Sequence, residues 1–167
     1  MPLETGFPAI ADKYAQILIL GSMPSIKSLQ QQQYYAHPRN AFWPIMSVLF
    51  DMDKKWDYQQ QCQHLITNHI AVWDVLKSCQ RQGSLDQHIE TDSIAVNDFN
   101  TFFQQHPKIE LILFNGGKAE QVFKQYVFPH LDKPYKQLNK TRLPSTSPAY
   151  AAMIFEQKLQ QWKQVLE

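Results

Sequence analysis

Gln16-Ile-Leu-Ile-Leu-Gly21 decides the fold, because four consecutive apolar residues that end at a glycine predict a buried β-strand. Two later runs have the same character, His69-Ile-Ala-Val-Trp73 and Leu111-Ile-Leu-Phe114. Strands that are apolar on both faces are typical of a parallel sheet covered by helices on both sides. The three runs therefore indicate the strands of an α/β fold.

Longer segments with helical spacing alternate with these strands. We predict helices over residues 40–50, 56–67, 97–105 and 117–126, a fourth strand over 136–143, and a last helix that begins near Ser147-Pro148. The apolar stripe of that last helix is predicted to be core, and it consists of Phe155, Leu159, Trp162 and Leu166. The alternation predicts a three-layer α/β/α sandwich around a central, mainly parallel four-stranded sheet.

The composition is that of one globular domain over residues 1–167, because 44% of the residues are apolar and 19% are charged. No apolar run is long enough to cross a membrane, and the first residues do not resemble a secretory signal, so neither membrane association nor secretion is expected. Cys62 and Cys79 form no C-x-x-C pair. This excludes a Cys-ligated zinc or iron–sulfur site and favours the reducing cytoplasm.

Ligands of open parallel sheets bind beyond the carboxyl ends of the strands. The four segments that follow the predicted strands cover residues 21–40, 74–83, 115–118 and 144–150, and all are rich in Gly, Pro, Ser and Asn. We expect these segments to converge on one edge of the sheet and to form the functional site there.

The most informative segment is Gln33-Tyr-Tyr-Ala-His-Pro-Arg-Asn-Ala-Phe-Trp43. It places two tyrosines, a histidine, an arginine and an asparagine in a proline-containing loop before a helix. Each residue also has an ordinary interpretation: Asn40 alone would be a helix N-cap, and Phe42 and Trp43 would begin the core face of the helix. Their position directly after the first strand's loop favours a functional site.

Three motifs in this chain resemble those of the uracil-DNA glycosylase superfamily. Gly21-x-x-Pro24 followed by Tyr35-Ala-His-Pro-x-Asn40-x-Phe-Trp43 is similar to its first motif region. Phe114-Asn-Gly-Gly-Lys118 resembles the strand end of its thymine branch, and Leu143-Pro-Ser-Thr-Ser147 resembles its closing Pro-Ser motif. Their order matches from about residue 16 to the C-terminus, and the combination is most similar to the hypoxanthine-DNA glycosylase branch.

The resemblance implies a monofunctional DNA glycosylase that acts in base excision repair without a cofactor or metal. Such an enzyme flips a deaminated base, here hypoxanthine, out of DNA and hydrolyses its N-glycosidic bond. It would work as a monomer on DNA that contains a damaged base. Because no lysine lies where the motifs place the sugar, no Schiff-base lyase step is expected.

The resemblance also assigns roles to individual residues. Asn40 would position the attacking water, and Tyr35 would stack on the flipped base. The predicted base pocket consists of Gly21, Ser22, Met23, Pro24, Tyr35, Phe42, Asp74 and Asn115. The predicted DNA contacts are His37, Arg39, Lys118, Ser145, Thr146 and Ser147.

Two departures from the superfamily pattern bear on the substrate. Met23 stands where the mismatch-specific enzymes carry a water-holding Asn, and Leu143 stands where a His or Asn usually precedes the closing Pro-Ser. Both departures count against the alternative of a uracil or G/T mismatch glycosylase. A second alternative is a non-catalytic α/β module that binds nucleotides or DNA, and the density of Tyr, Asn and Pro in residues 34–43 counts against it.

Overall fold

The computed structural model describes residues 2–167. Its strands over those residues are β1 (Glu4–Thr5), β2 (Ile17–Gly21), β3 (Ile70–Asp74), β4 (Leu76–Cys79), β5 (Ala95–Val96), β6 (Leu111–Asn115) and β7 (Asn139–Leu143). Its α-helices are α1 (Ile26–Gln31), α2 (Phe42–Leu49), α3 (Tyr58–Thr67), α4 (Phe99–Gln105), α5 (Gly117–Val122), α6 (Lys133–Lys136) and α7 (Phe155–Leu166).

A four-stranded parallel sheet with strand order β3-β2-β6-β7 forms the centre of the molecule. Successive residues of β2 point to opposite faces: Leu18 and Leu20 pack with α4 and α5, whereas Ile19 packs with α2, α3 and α7. Each face of the sheet is therefore covered by its own helical layer. This confirms the predicted three-layer α/β/α sandwich with a parallel sheet.

The strand predictions hold for the central sheet, but the ends of several elements differ. The fourth strand begins at Asn139, not at residue 136, because Lys133–Lys136 forms the short helix α6 with Pro134 in its first turn. Helix α2 begins at Phe42, not at residue 40. Helix α5 ends at Val122 and continues as a π-helical turn over Phe123–Val127.

The last helix departs most from prediction, because it begins at Phe155 and not near Ser147-Pro148. Residues 147–154 form turns instead, which the hydroxyl of Ser147 stabilises by accepting the N–H of Ala149. The predicted core stripe is correct for Trp162, which is fully buried, and wrong for Phe155, which is 37% exposed. Phe155 is the first residue of the helix, and its side chain lies at the protein surface.

A second sheet was not predicted. Strands β1, β4 and β5 pair antiparallel, and β4 follows β3 after a single residue. Half of the segment 74–83 is therefore strand, not loop. Among residues 2–167, no helix combines the length and the apolar character that crossing a bilayer requires.

Trp162 offers a test of the packing between α7 and the sheet. It is fully buried, contacts the ring of Phe42 edge-on, and donates from Nε1 to the carbonyl of Pro144 at 3.0 Å. We expect Trp162→Ala to lower the free energy of unfolding by about 3–5 kcal/mol, since it leaves a large cavity. Denaturant unfolding measures this change. Val48→Ala is the control, because Val48 is 55% exposed and should cost under about 0.5 kcal/mol. Equal losses would contradict the packing described.

Candidate active site

A cavity of about 620 Å³ opens at the carboxyl ends of the central strands. All four predicted segments contribute to its lining, through residues of 21–40, Asp74, Asn115 with Lys118, and residues of 145–150. Residues 84–87 also line it, and they lie just beyond the predicted segment 74–83. The volume is typical of a pocket for a small ligand. The expected convergence of the loops is thereby confirmed.

Tyr35 forms part of the cavity wall and is supported from behind by Phe42. Their rings stack with centroids 4.2 Å apart and an angle of 24° between the planes. Tyr35 has a positive φ of 55°, which turns the chain sharply at this point. Phe42 is fully buried and does not line the cavity, so the prediction that it belongs to the base pocket is corrected. It holds Tyr35 in place instead.

Asp74 ends β3 directly beside Gly21, its register partner at the end of β2. A Cβ atom on Gly21 would lie 2.5 Å from the Asp74 carboxylate Oδ1 and 2.9 Å from the Tyr35 hydroxyl. No side chain fits there, so Gly21 is what allows the carboxyl and the hydroxyl to approach the end of the strand. The Tyr35 hydroxyl and Asp74 Oδ2 are both buried, and neither has a hydrogen-bond partner within residues 2–167.

The electrostatic environment of Asp74 favours its neutral form. Burial, and after it the carboxylate of Asp86, raise its pKa from 3.8 to about 7, although the guanidinium of Arg81 opposes them. Burial and the nearby Asp74 also raise the pKa of the Tyr35 hydroxyl far above its usual range. Tyr35 therefore stays protonated at every physiological pH, whereas Asp74 titrates close to neutrality.

Asp86 is a second carboxyl in the cavity that sequence reasoning missed. It accepts a hydrogen bond from the Ser22 hydroxyl at 2.7 Å, and burial raises its pKa while Ser22, Arg81 and Lys118 lower it. It begins a short 3₁₀ turn over Asp86–His88, in a segment without motif or apolar periodicity. The only available signal was its position three residues after Gly83, at the end of the predicted loop.

Arg81 fixes the wall that carries Asp86. Its side chain is completely buried, pairs with Glu4 at 3.1 Å, and donates to the carbonyls of Pro24 and Ser84. The Ser84 hydroxyl in turn accepts the N–H of Ile26 at the start of α1. One guanidinium thus joins the loop after β2 to the loop after β4.

Asn40 lies at the cavity and also stabilises the start of a helix, one residue before the N-cap Ala41. Its Oδ1 accepts the backbone N–H of Phe42, the first residue of α2, at 2.9 Å. Its own N–H donates to the carbonyl of His37, so the loop before it is closed into a turn. The side chain is therefore held in one orientation at the cavity wall, which is a requirement for positioning another molecule.

Asn115 and Thr146 bind each other across the cavity floor. The Asn115 Nδ2 donates to Thr146 Oγ1 at 3.0 Å, and its Oδ1 accepts the Thr146 N–H at 2.9 Å. Asn115 therefore holds the closing Pro-Ser loop in place. Thr146 is 1% exposed. The prediction that Thr146 contacts DNA is corrected, since a buried hydroxyl already bound to Asn115 cannot reach a phosphate.

The other predicted DNA contacts lie at or near the mouth of the cavity. Lys118, Ser145 and Ser147 line it, whereas His37 and Arg39 lie on the adjacent loop, where His37 Nδ1 accepts the N–H of Arg39. Ser22, Met23 and Pro24, which are predicted to belong to the base pocket, also line the cavity. Lys158, which was not predicted, is buried beneath this mouth, where its ammonium donates to the carbonyl of Ser147 and lies over the ring of Tyr150.

The comparisons with known proteins agree on one family. A profile of the uracil DNA glycosylase superfamily matches residues 7–167 of the chain. The chain belongs to the uracil DNA glycosylase superfamily.

Two relatives and one solved structure show where it lies within that family. A protein named hypoxanthine DNA glycosylase from Methanosarcina acetivorans is 41% identical over 118 residues, which cover 70% of this chain and 73% of the relative. A protein of the same name from Methanosarcina barkeri is 38% identical over 117 residues, which cover 70% of this chain and 73% of that relative. A solution NMR structure from M. acetivorans, provisionally described as a uracil DNA glycosylase, superimposes with a TM-score of 0.81 at 32% identity, covering 99% of this chain and 97% of that one.

The buried carboxyl of Asp74 predicts a pH-dependent stability. Because its folded-state pKa lies near 7, well above the ordinary 3.8, the folded protein binds more protons than the unfolded chain between about pH 4 and pH 7. Stability therefore falls as the pH rises through this window. Asp74→Asn cannot ionise and should escape this loss, about 1.4 kcal/mol per pKa unit. We expect the variant to melt higher than wild type at pH 8 and to lose that advantage at pH 4.5.

Asp98→Asn is the control of opposite sign. Asp98 caps α4 on the surface, and its hydrogen bonds with Thr101 lower its pKa. Its contribution to stability is present at high pH, so this variant should gain nothing at pH 8. If Asp74→Asn gave the same melting difference at both pH values, the environment assigned to Asp74 would be incorrect.

Proposed function

We propose that this protein is a monofunctional DNA glycosylase that flips hypoxanthine out of DNA and hydrolyses its N-glycosidic bond. The observation that carries the proposal is the cavity at the sheet edge, in which the fixed amide of Asn40 and the ring of Tyr35 line the same space. The names and 38–41% identity of the two archaeal relatives support the choice of base. The proposal assigns the activity to one domain over residues 1–167.

A base within a duplex hides its glycosidic bond, so the enzyme rotates the nucleotide into a pocket. The cavity is wide enough for a purine, and Tyr35 supplies a flat apolar surface on the side that Phe42 leaves free. A deaminated base in a weakened pair costs less to unstack than a normal one. Tyr35 is accordingly proposed as the stacking partner of the flipped base.

Water attacks C1′ of the sugar as positive charge develops there. An amide has no useful basicity, so Asn40 positions the water and does not deprotonate it. The hydrogen bond from the Phe42 N–H to Asn40 Oδ1 sets the orientation of the amide before substrate arrives. The same contact that caps the helix thus prepares the group for the reaction.

The mouth of the cavity supplies the proposed DNA contacts. Lys118 and Arg39 bring positive charge, and Ser145, Ser147 and His37 bring hydrogen-bonding groups suited to phosphate. Damaged DNA is the proposed partner, bound by a single copy of the protein. Cys62 and Cys79 are both free and buried, which supports a cytoplasmic location.

A uracil or mismatched-thymine glycosylase is the second candidate, because the similar NMR structure carries a uracil glycosylase description. Met23 and Leu143 oppose it. Both side chains are buried and apolar, so neither can hold water or stabilise a departing pyrimidine oxyanion. The choice of base is therefore decided by a direct assay.

That assay is a cleavage panel of duplex oligonucleotides containing inosine, uracil, xanthine or a G/T mismatch. We expect purified protein to release hypoxanthine from the inosine duplex in the presence of a metal chelator, and to leave uracil and G/T largely intact. The Asn40→Ala variant, purified in parallel, excludes contaminating host glycosylases. Cleavage restricted to uracil would support the second candidate function. DNA binding without cleavage of any duplex would contradict a glycosylase activity.

Asn40 is tested by a pair of substitutions. We expect Asn40→Ala to slow single-turnover cleavage of inosine DNA by about 100-fold or more while lesion binding persists. It should also cost about 1 kcal/mol of stability through the lost cap. Asn40→Asp keeps the cap and should retain more activity than Ala, with weaker DNA binding from phosphate repulsion.

Asp57→Ala provides the matched control. Asp57 is the N-cap of α3, where it accepts the N–H of Gln60, and it lies outside the cavity lining. It should reproduce the stability loss of Asn40→Ala without slowing cleavage. If Asn40→Ala cleaved inosine DNA as fast as Asp57→Ala does, Asn40 would be a helix cap alone.

A further inference from the structure

A purine that leaves its sugar carries away the electron pair of the broken bond, and the cavity must neutralise this charge. The side chains that the motifs place nearest to the departing base are either apolar or already hydrogen-bonded within the protein. Leu143 is a buried hydrocarbon, and both polar atoms of the Asn115 amide bind Thr146. The Ser22 hydroxyl donates to Asp86.

Two groups that line the cavity are buried without a hydrogen-bond partner within residues 2–167, the Tyr35 hydroxyl and the Asp74 carboxyl, and of these Asp74 is the carboxylic acid. It lines the cavity at 4% exposure, and its Oδ2 has no hydrogen-bond partner within residues 2–167. Buried polar atoms are nearly always satisfied, so a buried carboxyl oxygen without a partner at a cavity wall indicates a group that waits for a ligand. The missing side chain of Gly21 leaves space for the carboxyl at the end of β2, beside the hydroxyl of Tyr35, whose ring stacks on Phe42.

We propose that Asp74 is the general acid that protonates the departing purine, an inference that rests on the glycosylase function proposed above. The carboxyl O–H donates its proton to a ring nitrogen of the base as the C1′–N9 bond breaks and the base takes the electron pair. Water forms the new C1′–O bond and releases one proton to solvent, while Asp74 regains one from solvent. The sum is hydrolysis to free hypoxanthine and an abasic sugar.

The charges around Asp74 suit this task. Asp86 faces it from the segment after β4 and disfavours its ionised form, whereas Arg81 on the same segment limits the effect. Tyr35 and Tyr34, on the loop before α2, also interact electrostatically with it, although the Tyr34 hydroxyl donates to the carbonyls of Phe7 and Pro8. Both hydroxyls remain protonated because burial raises their pKa values far above the usual range. The pKa of Asp74 is about 7, near neutrality, where an acid is most effective.

The test is the pH dependence of single-turnover cleavage of inosine duplex DNA between pH 5 and pH 9, with the protein saturating. We expect the wild-type rate to fall with rising pH, approaching tenfold per unit above an apparent pKa near 7. Asp74→Asn keeps the shape and a hydrogen-bond donor but has no transferable proton. It should lower the rate at pH 6 by about 100-fold or more and remove the dependence on pH.

Asp86→Asn separates an acid role from a structural one. It preserves an oxygen that can accept from Ser22 but removes the negative charge that raises the pKa of Asp74. The falling limb of the profile should therefore move to lower pH in Asp86→Asn. This measurement also distinguishes the two roles if Asp74→Asn does not fold. If Asp74 only supported the cavity, the pH at which the cleavage rate falls would not depend on Asp86.

Three results would overturn the proposal while leaving the glycosylase function intact. They are a wild-type rate that does not fall between pH 5 and pH 9, an Asp74→Asn variant that keeps the falling limb, and an Asp86→Asn variant that leaves the limb in place or abolishes it. Abolition would give the acid role to Asp86. Failure of the proposed function looks different, because then the wild-type protein releases no hypoxanthine at any pH.

Discussion

The register between β2 and β3 is the constraint on which the rest of the site depends. It places Gly21 opposite Asp74 at the ends of two parallel strands, so a position without a side chain lies against a buried carboxyl. A shift of one residue would turn every apolar side chain of β2 to the wrong layer, so the packing of both faces fixes this register. Hydrophobic packing away from the cavity thereby determines where the Asp74 carboxyl lies.

Much of this arrangement could be predicted from local patterns. The central strands and the convergence of their loops followed from apolar runs that end at Gly, Asp and Asn. Phe42 was misplaced because a helix start beside a motif does not reveal which side chain faces the core. Thr146 was misplaced because its bonds to Asn115 span 31 residues, and nothing in the sequence marks such a pairing. Asp86 had no pattern at all, since its place depends on the buried side chain of Arg81.

Buried cations organise the cavity without lining it. Arg81 and Lys158 are both buried, and each donates to backbone carbonyls of a loop that carries lining residues. Loops tolerate motion and sequence change, so a rigid pocket made of loops needs such internal supports. The guanidinium and the ammonium serve here as cross-links between chain segments, and the charge of Arg81 also lowers the pKa of Asp74 and Asp86 against the effect of burial.

The ion pair between Arg81 and Glu4 connects the amino-terminal segment to the wall of the cavity. Glu4 belongs to the two-residue strand β1, yet its carboxylate is the counter-ion of the guanidinium that supports the cavity wall. Removing one member of a buried pair commonly costs about 3–5 kcal/mol, because the other charge is left uncompensated. A fusion tag or a shortened start that disturbs residues 4–5 would thus reshape the pocket from 77 residues away in sequence.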